Sequence, residues 1–322
     1  MKALSLFVVV LLTCGSLAQA KTSLLLIGNK SEDTLSFVNT ATLEEVAKTA
    51  TGRGPHEVVA TPDGRTAFVA NYEGPGDSIS VIDVPAHKET SRIELGEHRA
   101  PHGLALNRAG TKLYATCEKS QTVIEVDVES KQIVRSFNTD KKGTHMLALT
   151  PDDRTIYTAD IGSGTATVID LQNGEVVTHI ETGAECEGID VSPDGKQVWT
   201  SNRAADTLSV IDTATNKVVA TMKCAGFPIR VKFTPDGKRV LVPCAKSNEL
   251  AVFDVESQQE IKRVSTGTAP VGVLVEPGGR RAFVAYTGDN TVAVFNLETM
   301  EVTDKIPSGK QADGMALATF SE

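Results

Sequence analysis

Aromatic residues are scarce: one Trp, four Tyr and ten Phe make up 5% of the chain. A core of that make-up is filled by small branched side chains, and the many Val and Thr tilt the reading toward strands. Basic residues are outnumbered. Thirty-two Lys and Arg face 41 Asp and Glu, for a net charge of −9 and a pI of about 5.3. That balance disfavours a nucleic-acid partner, whose phosphates need a basic surface. Five cysteines in 322 residues exclude a disulfide-dense scaffold. No apolar run reaches the roughly 18 residues that a membrane-spanning helix needs. An apolar period of 3.6 residues is also missing, which excludes a stack of helix pairs. The catalytic signatures absent are the Walker loop, the dinucleotide fingerprint, HExxH, GxSxG and CxxCH. What is present, 40% hydrophobic and 23% charged residues, is the composition of a globular protein.

The first twenty residues read as a secretory signal. Lys2 supplies the positive end, Leu6 to Leu12 the apolar core, and Ala18-Gln19-Ala20 the small-residue cleavage site. A second reading takes Leu11 to Ser16 as a degenerate lipoprotein box around Cys14, with Thr13 a poor residue at its cleavage point. Both readings export the chain, to the periplasm or beyond. They leave residues 21–322 as one folded domain, expected to be a monomer.

That domain is a repeat. TLSFVN (Thr34–Asn39), SISVID (Ser78–Asp83), TVIEVD (Thr122–Asp127), TATVID (Thr165–Asp170), TLSVID (Thr207–Asp212), ELAVFD (Glu249–Asp254) and TVAVFN (Thr291–Asn296) end 42 to 44 residues apart. A turn signal keeps the same period, in Pro62-Asp63-Gly64, Pro193-Asp194-Gly195 and Pro235-Asp236-Gly237. In it Pro presets φ, Asp caps the backbone and Gly takes positive φ. Four short alternating runs per period describe a propeller blade; in the fifth copy they begin with Arg230–Thr234. The seventh inner strand, Gly314–Leu317, runs out of chain, and Leu24–Gly28 supplies its missing partner. The sequence therefore predicts an all-β, seven-bladed β-propeller with four-stranded blades, its ring closed by the N-terminal strand.

The segments AFVAN (Ala67–Asn71), LYATC (Leu113–Cys117) and VWTSN (Val198–Asn202), each followed by a VID-type strand, resemble the bacterial YVTN-type β-propeller repeat. The chain is also similar to exported propellers associated with quinone-cofactor-dependent catabolism. The resemblance implies the fold; the family includes ligand binders, lactonase-like enzymes and proteins with no known activity. It carries over no catalytic residues.

One position, just before each inner strand, stands out. Around the ring it holds His56, His102, His145, Glu187, Ile229, Val271 and Asp313. Three of six histidines thus occupy one structural place in consecutive blades. Converging imidazoles and a carboxylate suit a borderline divalent cation such as Zn²⁺, Mn²⁺, Ni²⁺ or Cu²⁺. Two other readings stand beside it: direct contact with a small ligand, and a structural role lining a solvated channel. Arg230 falls where other blades have Gly103, Gly188, Gly272 and Gly314. It reads either as a clamp for an anionic ligand or as the partner of Glu187 or Asp313.

The second strands end in Asn29, Asn71, Cys117, Asp160, Asn202, Cys244 and Tyr286 on the same face. Capping is the expected role of the asparagines. Asp160 is a candidate to orient His145. Cys186 and Cys224, in neighbouring blades, are a candidate disulfide, while Cys117 and Cys244 sit too far apart around the ring to pair. His87 and His179 are expected at the surface.

Two classes of function follow. One is a metal-dependent hydrolase or lyase acting on a small carbonyl or carboxylate compound. There His56, His102 and His145 hold the metal, Glu187 is a fourth ligand or general base, and Arg230 orients the substrate. The other is a non-catalytic propeller binding a small molecule, a cofactor or a periplasmic protein on the same face.

Overall fold

The computed structural model describes residues 21–74 and 77–321. The signal segment and Cys14 lie outside them. The described residues form seven sheets of four antiparallel strands, with no helix. Each blade runs inner strand, second, third, outer, as in β4 (Pro55–Ala60), β5 (Thr66–Asn71), β6 (Ser78–Asp83) and β7 (Lys88–Glu94).

The Pro-Asp-Gly turns form as expected. Gly64 takes φ of 69°, and Asp63 Oδ1 accepts bonds from the Arg65 amide and the Thr61 hydroxyl. Ring closure is also as expected. β1 (Lys21–Asn29) pairs antiparallel with β28 (Ala312–Ser321), matching Leu25 with Leu317. An open edge between the first and last blades is thereby removed.

Cores form between blades. Phe68, Ile79 and Val81 of the first blade pack against Leu113, Ala115 and Ile124 of the second. Third strands are buried on both faces for this reason. Outer strands such as β7 alternate exposed and half-buried residues and carry charge, which blunts their free edge.

Two expectations need correction. The fifth inner strand is not Arg230–Thr234 but only β20 (Lys232–Phe233), preceded by an isolated bridge from Pro228 to Cys244. Phe227 takes φ of 65°, and the irregular stretch after it carries Arg230 into the channel mouth. The cysteine pairing also differs. Cys186 faces the core between the third and fourth blades, whereas Cys224 lies with Cys244 in the next core. All four described cysteines are thiols.

Candidate functional site at the channel mouth

The rim residues project into the mouth because each sits in a β-bulge. Pairing between inner and second strand slips between Pro55 and Val58, Pro101 and Leu104, Thr144 and Met146, and Cys186 and Ile189. His56, His102, His145 and Glu187 fall inside these slips. An extra residue re-aims the side chains that flank it. Hydroxyls on the second strands then tie the bulges together. Thr116 Oγ1 accepts the Gly103 amide at 2.8 Å and donates to the His145 carbonyl at 2.6 Å. Ser201 makes the same relay from Gly188 to Ile229. The rim glycines allow this crowding: a Cβ on Gly103 would stand 2.9 Å from the Leu147 amide nitrogen.

The three histidines form a stack. Ring centroids are 4.3 Å apart for His56 and His102 and 3.7 Å for His102 and His145. Carboxylates hold both ends: Asp313 Oδ2 is 2.9 Å from His56 Nδ1, and Glu118 Oε2 is 2.8 Å from His145 Nδ1. Glu187 Oε1 lies 3.5 Å from His145 Nε2. The middle ring is different. His102 is 1% exposed, and among the described residues neither of its nitrogens has a hydrogen-bond partner. Tyr72 packs edge-on against both His56 and His102.

Arg230 crosses the mouth. Its Nη2 is 2.7 Å from Glu57 Oε1 and 3.9 Å from Asp313 Oδ1, and its Nη1 is 3.2 Å from Glu187 Oε1. Arg203 pairs with the other oxygen of Glu187. Below this polar layer a channel cavity of about 370 Å³ is lined by aliphatic side chains including Val58, Leu104 and Ile189. Beside it a cleft of about 750 Å³ borders Glu118 and Arg203.

The titration of these groups follows their neighbours. Burial, with the charges of His145 and His56, pushes His102 well below the usual imidazole value, so it stays neutral. Burial works against charge on His145 too, but Glu118 and Glu187 prevail and raise its pKa. Burial of Glu187 is outweighed by His145, Arg230 and Arg203, which hold its carboxyl below the ordinary range. Asp313 is lowered likewise, by His56 and Arg230 against its burial. Burial and Glu118 push Tyr72 up to about 12.

The sequence-predicted residues His56, His102, His145, Glu187 and Arg230 thus meet at one mouth. Their donor atoms are not already converged: among the described residues no three His, Cys, Asp or Glu form a ready metal centre. Asp160 does not orient His145. It accepts from the hydroxyls of Thr158, Thr165 and Thr167 instead, and Glu118 takes the place expected for it. Asn29, Asn71 and Asn202 each donate to a pair of hydroxyls on the following strand. His179, on an outer strand, meets the Thr167 hydroxyl of the neighbouring third strand, and His87 packs against Phe37. Sequence reading missed Tyr72, which nothing but its place after Asn71 would have marked. Glu118 directly follows Cys117, one of the second-strand ends on this face, and only that place marks it.

Comparison with known proteins agrees with the fold. A structure of Kuenenia stuttgartiensis hydrazine synthase is similar at a TM-score of 0.77 and 23% identity, over 84% of this chain and 91% of that one. A protein described as functionally unknown from Desulfotomaculum acetoxidans is similar at a TM-score of 0.80 and 12% identity, over 93% and 99%. At these identities the likeness concerns the fold alone. No curated protein matches. The YNCE-like beta-propeller description matches residues 9–96 and 91–281, and the chain belongs to that family.

Proposed function

We propose that the chain is an exported binding propeller whose channel mouth takes up a divalent transition-metal ion. His56, His102 and His145 are the ligands, with Glu187 in reach as a fourth donor. The observation that carries this reading is His102: a neutral, buried imidazole whose two ring nitrogens have no partner among the described residues. Leaving such a group unsatisfied is costly, and a metal ion satisfies it. Asp313 and Glu118 stand at the Nδ1 atoms of the flanking rings, the places from which carboxylates orient metal-ligating histidines. The rings stack rather than converge, so binding turns them about their side-chain bonds toward one ion. It also displaces the proton that Glu118 and Glu187 favour on His145.

Uptake fits the site better than hydrolysis or elimination. A catalyst of that kind would use Glu187 as a free base and Arg230 as a free anion clamp. Here Glu187 is occupied by His145, Arg203 and Arg230, and Arg230 by carboxylates. Elemental analysis of protein purified without a histidine tag tests the reading. About one metal ion per chain supports it; no metal in the isolated protein, and none retained after dialysis against Zn²⁺, Ni²⁺ or Cu²⁺, overturns it.

A further inference from the structure

We propose that Cys224 and Cys244 form a disulfide that staples the fourth blade to the fifth. The two sulfurs lie 3.8 Å apart, and both residues are wholly buried. Bond formation closes that gap to about 2.05 Å. Cys224 follows β19 (Lys217–Lys223), the outer strand of the fourth blade, and Cys244 ends β21 (Arg239–Cys244) of the fifth. The chain between them contains the weakest inner strand of the ring, the two residues of β20. A covalent link at this point fastens the loop that carries Arg230 where ladder hydrogen bonds are fewest. Cys117 and Cys186 face separate cores and have no such neighbour among the described residues.

The chemistry is thiol–disulfide exchange with an oxidant such as oxidised glutathione. The Cys224 hydrogen bond and the Arg263 guanidinium favour the Cys244 thiolate despite its burial, and local opening between the two blades exposes it to the oxidant. Its thiolate breaks the glutathione S–S bond and releases one glutathione. Cys224 then attacks the mixed disulfide and loses its proton, and the second glutathione leaves. Two protein thiols are oxidised, and one glutathione disulfide is reduced to two thiols. This inference does not depend on the metal reading.

The test is a thiol count with peptide mapping. Full-length protein equilibrated with oxidised glutathione is denatured, alkylated without reduction and digested. The expected result is a mass loss of about 2 Da, a cross-linked peptide pair containing Cys224 and Cys244, and alkylation of every other cysteine, Cys117 and Cys186 among them. Reduction should lower Tm by about 5 °C, and the Cys224→Ser, Cys244→Ser double variant should lose that sensitivity. Alkylation of Cys224 and Cys244 after oxidation, or a cross-link through Cys186 or Cys117, overturns the proposal. The mapping uses the wild-type chain, so it holds even where a variant fails to fold.

Discussion

Glu118 of the second blade grips His145 of the third, Oε2 to Nδ1 at 2.8 Å. A carboxylate in this position fixes the ring's tautomer and leaves Nε2 as the donor. Glu118→Gln is therefore expected to weaken divalent-metal affinity about 10–100-fold while the fold stays intact. Calorimetric titration measures this; an unchanged affinity would count against the role given to Glu118.

Thr116 links Gly103 to the His145 carbonyl inside the rim. Thr116→Val keeps the shape and strands two buried backbone groups, for an expected loss of about 1–3 kcal/mol in urea unfolding. Ser201→Ala should cost a similar amount, since Ser201 makes the same link at Ile229. The threonine variant should weaken metal binding more, since Thr116 braces the bulges of His102 and His145, whereas Ser201 braces only that of Glu187. Equal effects of both variants on metal affinity would contradict the assignment.

Burial holds the Asp160 carboxyl above its ordinary value, although three threonine hydroxyls and His179 oppose the shift. A carboxyl raised in this way favours the fold while protonated. That contribution is lost as pH rises through the folded value, so at neutral pH the ionised group costs stability. Asn29, Asn71 and Asn202 fill the same place without charge. Asp160→Asn should accordingly stabilise the protein by about 1 kcal/mol at pH 7, with the gain shrinking as pH falls into the carboxylate range. Unfolding curves at several pH values check this, and a destabilised variant at neutral pH would refute it.

Arg230 compensates Glu57 and Glu187, with Asp313 just beyond, in a buried layer. Removing one partner leaves uncompensated buried charge, so Arg230→Met is expected to cost about 3–5 kcal/mol. A change below about 1 kcal/mol in denaturant unfolding would mean that the carboxylates find other partners.

The blade count, the closing strand and the rim position were legible because each depends on period alone. A strand repeats every 42 to 44 residues whatever its side chains touch. The contacts at the mouth were not legible in that way. Which carboxylate meets which histidine depends on how bulges aim side chains between neighbouring blades, and bulges leave no mark on the repeat. Asp160 illustrates this: alignment put it in the blade of His145, but its carboxyl turns to its own third strand. Cys224 illustrates it again. Its partner lies on β21 across the blade boundary rather than at the rim beside Cys186. The short β20 was hidden because Arg230–Thr234 alternates like its counterparts, while Pro228 and Phe227 before it redirect the chain.

Titration of metal-stripped protein with Zn²⁺, Ni²⁺ and Cu²⁺, wild type beside His102→Ala, tests the central claim most directly. The account expects binding of about one ion per chain in the wild type and at least a 100-fold loss of affinity in the variant, with Tm little changed before metal is added. No saturable binding in the wild type, or equal affinity in the variant, would contradict it.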